Sequence, residues 1–470
     1  MEVKEITNRD VDFAKWYTDV VKKADLVDYS STKGSMIIRP LGYAIWENIQ
    51  RELDKQFKLT GHENVQMPML IPESLLNVEK EHVEGFAPEV AWVTHGGKEE
   101  LEERLCIRPT SETLFCEHYK KIINSYRDLP KLYNQWCTIV RWEKTTRPFL
   151  RSREILWQEG HTMHATEQEA REETLRMFKI YENFQKDFLA IPVITGKKSE
   201  KEKFAGAEET YTLEAMMYDG IALQNGTSHY FGTHFADAFG IKFLDKDGKM
   251  KTPYQTSWGV TTRMIGSIIM THGDDHGLVL PPKIAPFKVI IIPIGDVDKE
   301  VKHIEDQLQK SEIAYKVDLT DKSPGFKFAE AEVKGFPIRI EVGKRDLEQG
   351  FITLVRRDTL EKVKCSNLDN ISEEVNKLLD TIQKDMYERA LERRNSMLYE
   401  AHDYDEFKSI SKDHNGFIKV NFCGDPECET KVKEETGLKS RCIIDAEKPD
   451  GKCFRCGKDA EYKIYFGRQY

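Results

Sequence analysis

The stretch Thr138-Ile139-Val140-Arg141-Trp142-Glu143, the loop through Pro148, and the return Phe149-Leu150-Arg151-Ser152-Arg153-Glu154-Ile155-Leu156-Trp157 decide how this chain is read. β-Branched and aromatic residues predict a strand on each side of the loop. A period of two puts Arg141 and Glu143 on one face, and Arg151, Arg153, Ile155 and Trp157 on one face of the return. Arg141, Glu143 and either Arg151 or Arg153 would converge there. Guanidiniums grip phosphate bidentately, and a carboxylate accepts from an adenine amino group. Taken alone, such a hairpin is more often a surface ladder of ion pairs.

Two flanking segments favour the nucleotide reading. Upstream, Gly42 to Leu59 places Ile45, Trp46, Ile49, Leu53 and Phe57 on one helical face. Gly61 stops that helix, and Val65 and Met67 predict a short strand ending at Pro68. Downstream, Thr256-Ser257-Trp258-Gly259-Val260-Thr261-Thr262-Arg263 predicts a strand and turn feeding a helix with Arg263 in its first turn. A cation there opposes the helix dipole unless an anion joins it. Neither a Gly-x4-Gly-Lys-Ser/Thr loop nor a strand-linked Gly-x-Gly-x-x-Gly is present, so a nucleotide would be bound without those frames.

The chain has 470 residues, 39% hydrophobic and 32% charged, a globular composition spread over several domains. Its net charge of −10 excludes a protein that coats nucleic acid non-specifically, but not an RNA partner held by local basic patches. No apolar run reaches the ~18–20 residues of a membrane span. The polar start, Met1 to Glu5, lacks the apolar core of a secretory leader, so a cytoplasmic location is expected.

Three units are predicted. Residues 1–284 end at the stiff connector Leu280-Pro281-Pro282-Lys283. In 285–385, strands at Lys288 to Ile294, Ala314 to Leu319, Ile338 to Val342 and Phe351 to Arg356 alternate with helices at Asp298 to Lys310 and Gly325 to Lys334, an α/β pattern. Residues 386–470 open with a charged, helix-rich stretch and then gather five of the nine cysteines. Cys423 and Cys428, with Cys453 and Cys456, have the spacing of a closed thiolate zinc site, against the alternative of four buried thiols. Cys442 is a candidate to replace one ligand. Cys106, Cys116, Cys137 and Cys365 are read as ordinary buried thiols.

Together the three segments resemble the three signature motifs of class II aminoacyl-tRNA synthetases. Arg108-Pro109-Thr110-Ser111-Glu112, Trp157-Gln158-Glu159-Gly160-His161, Lys203-Phe204-Ala205-Gly206, Gly226-Thr227-Ser228-His229 and Phe466-Gly467-Arg468-Gln469-Tyr470 narrow the likeness to the prolyl-tRNA synthetase family, in its archaeal and eukaryotic-cytosolic type. The resemblance spans essentially the whole chain. It implies a mixed α+β and α/β multidomain fold: a catalytic unit on an antiparallel sheet, an α/β anticodon-binding unit and a small C-terminal zinc-binding unit. The implied reaction joins L-proline to ATP as prolyl-adenylate and passes it to the 3′ end of tRNA(Pro).

Residue by residue, the resemblance implies that Thr110 and Glu112 receive the substrate's ammonium, and that Trp157, Phe204 and His229 wall the proline pocket. Arg141 would lie between the proline carboxylate and the ATP α-phosphate, with Arg263 the other catalytic arginine. Glu143 would accept from adenine, and Arg151 and Arg263 would hold the outer phosphates. Gln224, Thr227 and Thr261 would contact ATP or its Mg²⁺, and Phe86 to Val90 would close over the pocket. His161 is expected behind the pocket wall and His164 in a structural role, neither as a metal ligand. Glu341 and Arg345 are expected at the anticodon, structural Zn²⁺ at the four cysteines, and a homodimer built on the first-motif helix. Tyr470 is expected to fold back toward the active site, which puts a C-terminal tag under suspicion. Fewer than one hundred residues separate Gly160 from Ser257, too few for the editing insertion of the common bacterial type.

Two other readings compete: a class II synthetase for threonine or serine, and a non-catalytic RNA-binding relative. The apolar Trp157 and Phe204 walls oppose the first. The intact Arg141, Glu143, Arg151 and Arg263 oppose the second.

Overall fold

The computed structural model describes residues 6–78 and 90–470. Of the expected lid Phe86 to Val90, residues 86–89 lie outside the described residues. The N-terminal unit is organised by α1 (Pro40–Leu59), β1 (Glu63–Asn64), α2 (Glu112–Ile122), β2 (Lys131–Val140), β3 (Glu154–His164) and α3 (Glu167–Asp187). They are followed by β4 (Val193–Lys197), β5 (Glu209–Met216), β6 (Ala222–Gly232), β7 (Tyr254–Thr261) and α4 (Arg263–His272). The seven strands form one sheet in the order β1-β2-β3-β7-β6-β5-β4. Every pairing in it is antiparallel except the short edge β1–β2.

Helix α1 starts on a proline, whose missing N–H costs nothing in a first turn. It buries the predicted face, Ile45, Trp46, Ile49, Leu53 and Phe57. The strand expected at Val65 and Met67 forms instead at Glu63–Asn64. Val65 N–H still reaches the Asn134 carbonyl at 2.8 Å, but Met67 N–H turns to the Gln135 side chain at 3.0 Å. That side-chain bond replaces the ladder and ends pairing.

Helix α3 covers one sheet face. Tyr181 on it donates to Gln158 Oε1 at 2.5 Å, and Trp258 packs against Tyr181 and Phe57. Gly160 faces this layer opposite Trp258, and a Cβ there would sit 2.1 Å from the indole ring. The alternate residues Trp157, Glu159 and His161 therefore face the other way, into an open cleft.

The middle unit contains β8 (Val289–Ile294), α5 (Asp298–Lys310), β9 (Tyr315–Val317), α6 (Pro324–Lys334), β10 (Ile338–Gly343), β11 (Ile352–Arg356) and β12 (Lys362–Cys365). Its sheet order is β9-β8-β10-β11-β12, parallel through the first three strands and antiparallel beyond. A single helix, α7 (Ile371–Ser396), then leads to a four-stranded sheet of β13 (Leu398–Glu400), β14 (Phe417–Phe422), β15 (Lys439–Ile443) and β16 (Tyr462–Gly467), ordered β13-β14-β16-β15.

The units are fastened to one another. Arg357 of the middle unit forks onto Asp274 just after α4, at 2.6 and 2.8 Å, and Arg393 of α7 donates to the Thr271 carbonyl at 2.6 Å. At the far sheet edge, β15 lies so near β4 that a Cβ on Gly196 would come within 2.2 Å of the Ile443 carbonyl oxygen. Among the described residues, no helix is long and apolar enough to cross a membrane.

Candidate active site

The cleft has a cationic end and a smaller, walled end. At the cationic end the two-strand reading needs correction. Strand β2 stops at Val140, β3 begins at Glu154, and residues 141–153 form a loop between them. Arg141 N–H continues the pairing to the Arg153 carbonyl at 2.8 Å, but Glu143 N–H folds back on the Arg141 carbonyl at 2.7 Å. The choice between Arg151 and Arg153 is thereby made. Arg153 stacks on Trp142 at 4.1 Å and donates to the Lys33 carbonyl at 2.9 Å, whereas Arg151 lines the cleft.

Arg141 and Arg263 line it too. Arg141 lies 5.2 Å over the Trp157 ring, its Nε donating to the Pro109 carbonyl at 3.2 Å. Arg263 opens α4 and donates to the Gln224 carbonyl at 3.2 Å and the Leu150 carbonyl at 3.4 Å. Burial, then the nearby Arg141 and Arg151, push the Arg263 guanidinium down to about 10. A half-buried cation crowded by two others is stabilised by an anion beside it. Gln224, Thr227 and Thr261 complete the lining at this end. The Glu143 carboxylate lies 3.5 Å from Nη1 of the cleft-lining Arg151.

At the walled end, Thr110 Oγ1 donates to Glu112 Oε2 at 2.5 Å, with Glu112 3% exposed at the start of α2. The Phe204 and His229 rings lie 4.6 Å apart, and His229 Nδ1 meets Thr210 Oγ1 at 3.0 Å. Burial first, then His161, push His229 down to about 3, so its ring is neutral. Trp157 closes the wall toward Arg141. A carboxylate and hydroxyl facing a small aromatic enclosure fit a compact ammonium with apolar carbons.

Models described as the class II tRNA synthetase core domain (G, H, P, S and T), the anticodon binding domain and the prolyl-tRNA synthetase C-terminal domain match residues 92–272, 288–378 and 404–470. Proline–tRNA ligase 2 of Bacillus cereus is 57% identical, with 100% of this chain and 99% of that protein covered. Proline–tRNA ligase of Lachnospira eligens is 58% identical, covering 100% and 98%. The chain belongs to the prolyl-tRNA synthetase family.

A crystal structure of the Cryptosporidium parvum prolyl-tRNA synthetase, complexed with halofuginone and AMPPNP, superposes with a TM-score of 0.95 at 40% identity and covers 99% of both chains. The type expected from sequence was too narrow. The Bacillus and Lachnospira relatives are bacterial, so this kind of prolyl-tRNA synthetase is not confined to archaea and the eukaryotic cytosol. No editing domain interrupts the span between β3 and β7, which holds α3 and three strands of the catalytic sheet.

One residue of this prolyl-tRNA synthetase escaped sequence reasoning. Glu159 is buried at the cleft floor, where its Oε1 accepts from Ser111 Oγ at 2.5 Å and Gln135 Nε2 at 2.6 Å. Its Oε2 takes the Ser111 N–H at 3.2 Å and His161 Nε2 at 2.8 Å. Glu159 thus ties the turn bearing Thr110 and Glu112 to the sheet. Burial alone would raise its carboxyl, but His161 and the hydrogen bonds hold it below the ordinary value. Glu159 reciprocally raises His161 against burial. His164 instead pairs with Thr162 Oγ1 at 2.9 Å, and burial pushes it down to about 4. Apart from His161 two residues on, the partners that reveal the role of Glu159, Gln135 and Ser111, lie 24 and 48 residues away.

In the C-terminal unit the sulfurs of Cys423, Cys428, Cys453 and Cys456 all lie within 4.8 Å of one another. Cys442 is not part of this group; it is buried against Gly196 at the β4–β15 seam. In the middle unit, Glu341 is 6% exposed and paired with Arg339 at 2.9 Å and Lys362 at 3.4 Å. A base meeting this carboxylate would share it with those two cations. Arg345 is exposed on the short helix Lys344–Glu348. Tyr470 packs beside the catalytic unit, its hydroxyl donating to Asp219 and its N–H reaching the Ala222 carbonyl at 3.1 Å.

Proposed function

We propose that this prolyl-tRNA synthetase activates L-proline with ATP and transfers it to tRNA(Pro), with each cleft residue in a definite role. The observation that carries the assignment is the meeting of Arg141, Arg151 and Arg263 with the Thr110–Glu112 pair in one cleft. Glu112 and Thr110 accept the two N–H bonds of the proline ammonium, and Trp157, Phe204 and His229 enclose the ring. The proline carboxylate then faces Arg141 and attacks the α-phosphorus in line as pyrophosphate leaves. Arg141 neutralises the charge that shifts between them, while Arg151 and Arg263 hold the departing phosphates. No protein nucleophile is required. Glu143 meets the adenine amino group once Arg151 swings to phosphate. The amide and hydroxyl oxygens of Gln224, Thr227 and Thr261 suit a hard cation, and Mg²⁺ would further neutralise the phosphates. The tRNA 3′-ribose takes the prolyl group, with Arg345 meeting the anticodon.

The test is amino-acid-dependent ATP–pyrophosphate exchange with all twenty amino acids. Proline is expected to dominate. Alanine should give a weaker signal, because a pocket that loses contact with methylenes discriminates by only ~1–3 kcal/mol for each. With no inserted domain, the enzyme is expected not to deacylate Ala-tRNA. Dominant threonine or serine exchange would overturn the proline assignment, and hydrolysis of Ala-tRNA by the purified enzyme would overturn the editing prediction.

The same reading gives the four-cysteine cluster a structural Zn²⁺. A tetrahedral thiolate site with zinc–sulfur bonds of about 2.3 Å has edges near 3.8 Å. The pairs Cys428–Cys453 at 4.0 Å and Cys456–Cys423 at 3.5 Å fit it. Metal analysis is expected to find one zinc per chain. Chelation should unfold the C-terminal unit, because structural zinc contributes about 10–16 kcal/mol in small domains. A metal-free chain with an unchanged melting profile would exclude the site. A cytoplasmic homodimer completes the proposal, supported by the exposed Tyr29, Ile37 and Tyr43 around the start of α1.

A further inference from the structure

A chain of charges crosses from the C-terminal unit into the wall of the catalytic cleft. Lys198, just beyond β4, lines the cleft and is held by its N–H to the Thr210 carbonyl at 2.8 Å. Its Nζ donates to Glu214 Oε1 at 2.7 Å, and Thr212 Oγ1 donates to the same oxygen at 2.8 Å. From the other side Arg441, on β15, brings Nη1 to 3.5 Å from Glu214 Oε2. The three side chains are 4%, 0% and 0% exposed. Arg441 is itself fixed by Nη1 donating to Gln469 Oε1 at 2.6 Å and Nε to the Lys439 carbonyl at 3.3 Å.

The placement of Glu214 gives this chain its meaning. Thr210, Thr212 and Glu214 alternate along β5 and share a face. Across the ladder, Glu214 is register partner of Gln224, whose carbonyl holds Arg263. One carboxylate therefore stands between the walled end of the cleft and its cationic end. Two buried cations against this single carboxylate leave an excess positive charge in the wall. Such an excess is costly unless something negative faces it. Among the described residues, Arg441 Nη2 and Glu214 Oε2 are also buried without a hydrogen-bond partner.

We propose that Arg441 is a positioning residue for adenylate formation, acting from the C-terminal unit through Glu214 on Lys198 and on the Gln224–Arg263 side of the ATP site. The inference rests on the function proposed above. Losing the Arg441 charge leaves Glu214 to Lys198 alone, makes the wall neutral and frees both to shift. The affected step is ATP binding, since the polyphosphate is the substrate's main negative charge.

The experiment is proline-dependent ATP–pyrophosphate exchange without tRNA, with KM for ATP and kcat measured separately. Arg441→Met is expected to raise KM for ATP about tenfold, the order expected for one unit charge acting across the protein wall. Arg441→Lys, which restores the charge, is expected to recover most of that loss. A KM for ATP unchanged in Arg441→Met overturns the inference. So does equal impairment of the Met and Lys variants through kcat and a lowered thermal midpoint, the mark of a structural anchor. If Arg441→Met does not fold, Gln469→Leu removes the hydrogen bond on Nη1 and keeps every charge. A smaller rise in KM for ATP is then expected, and no rise overturns the inference. Wild-type enzyme without proline-dependent exchange would defeat the functional reading itself, and the inference with it.

Discussion

Replacing Arg263 with methionine is expected to cut proline-dependent ATP–pyrophosphate exchange about 10²–10³-fold without lowering the thermal midpoint. The loss follows from removing a preorganised cation aimed at departing phosphate, the scale found for deleting one such donor. The stability half of the expectation is less usual. Arg263 is half-buried, and Arg141 and Arg151 repel it more strongly than Glu143 and Glu214 attract it. Its own hydrogen bonds are long, at 3.2 and 3.4 Å to two carbonyls. Methionine keeps much of the apolar bulk while removing a charge that the folded chain tolerates rather than exploits. Exchange kinetics beside a melting curve check both halves. A large fall in midpoint would mean the guanidinium serves the fold, and near-normal exchange would remove Arg263 from the phosphate site.

Glu159→Ala should do the reverse, destabilising the fold by about 3–5 kcal/mol, the cost of leaving a buried charge without its partner. His161 would lose its counter-ion and Ser111 its tether, so the Thr110–Glu112 turn would loosen and KM for proline rise. The pair also sets a pH window. The Glu159 carboxyl is held down in the folded state, so its contribution is present above its unfolded value and fades as pH falls through the folded one. His161 is held up, so its contribution is complete below about 6.5 and fades as pH rises through the folded value. Wild-type stability measured by denaturant titration across pH should carry both limbs, and Glu159→Ala should flatten them. An unchanged profile would show that the pair contributes no linkage.

How much of this was legible beforehand depends on the range of the interaction. Helix α1, the alternation of the middle unit and the start of α4 at Arg263 follow from local periodicity, and local periodicity found them. The departure of Glu143 from the β2 line did not, because a two-residue backbone fold-back overrides the period. Arg151 and Arg153 were inseparable by pattern; only Trp142 and the Lys33 carbonyl, reached through the tertiary fold, distinguish them. Glu159 was hidden for the same reason, since Ser111 and Gln135 reach it from other elements and only His161 shares its strand. Glu341 is a different case. Its partner Arg339 is two residues away on the same strand face, so the ion pair that occupies it could have been read directly. Cysteine spacing identified the four clustered thiols but left Cys442 open until β15 was seen against β4.

That seam bears on inheritance. Gly196 has no room for even one methyl group because the Ile443 carbonyl fills the space, and Glu214 meets a cation supplied from β15. A lineage that exchanged its C-terminal unit for an unrelated one would leave a bare glycine gap and a carboxylate held by Lys198 alone in the catalytic wall. The two units can drift in sequence, but they can be traded only as a matched set.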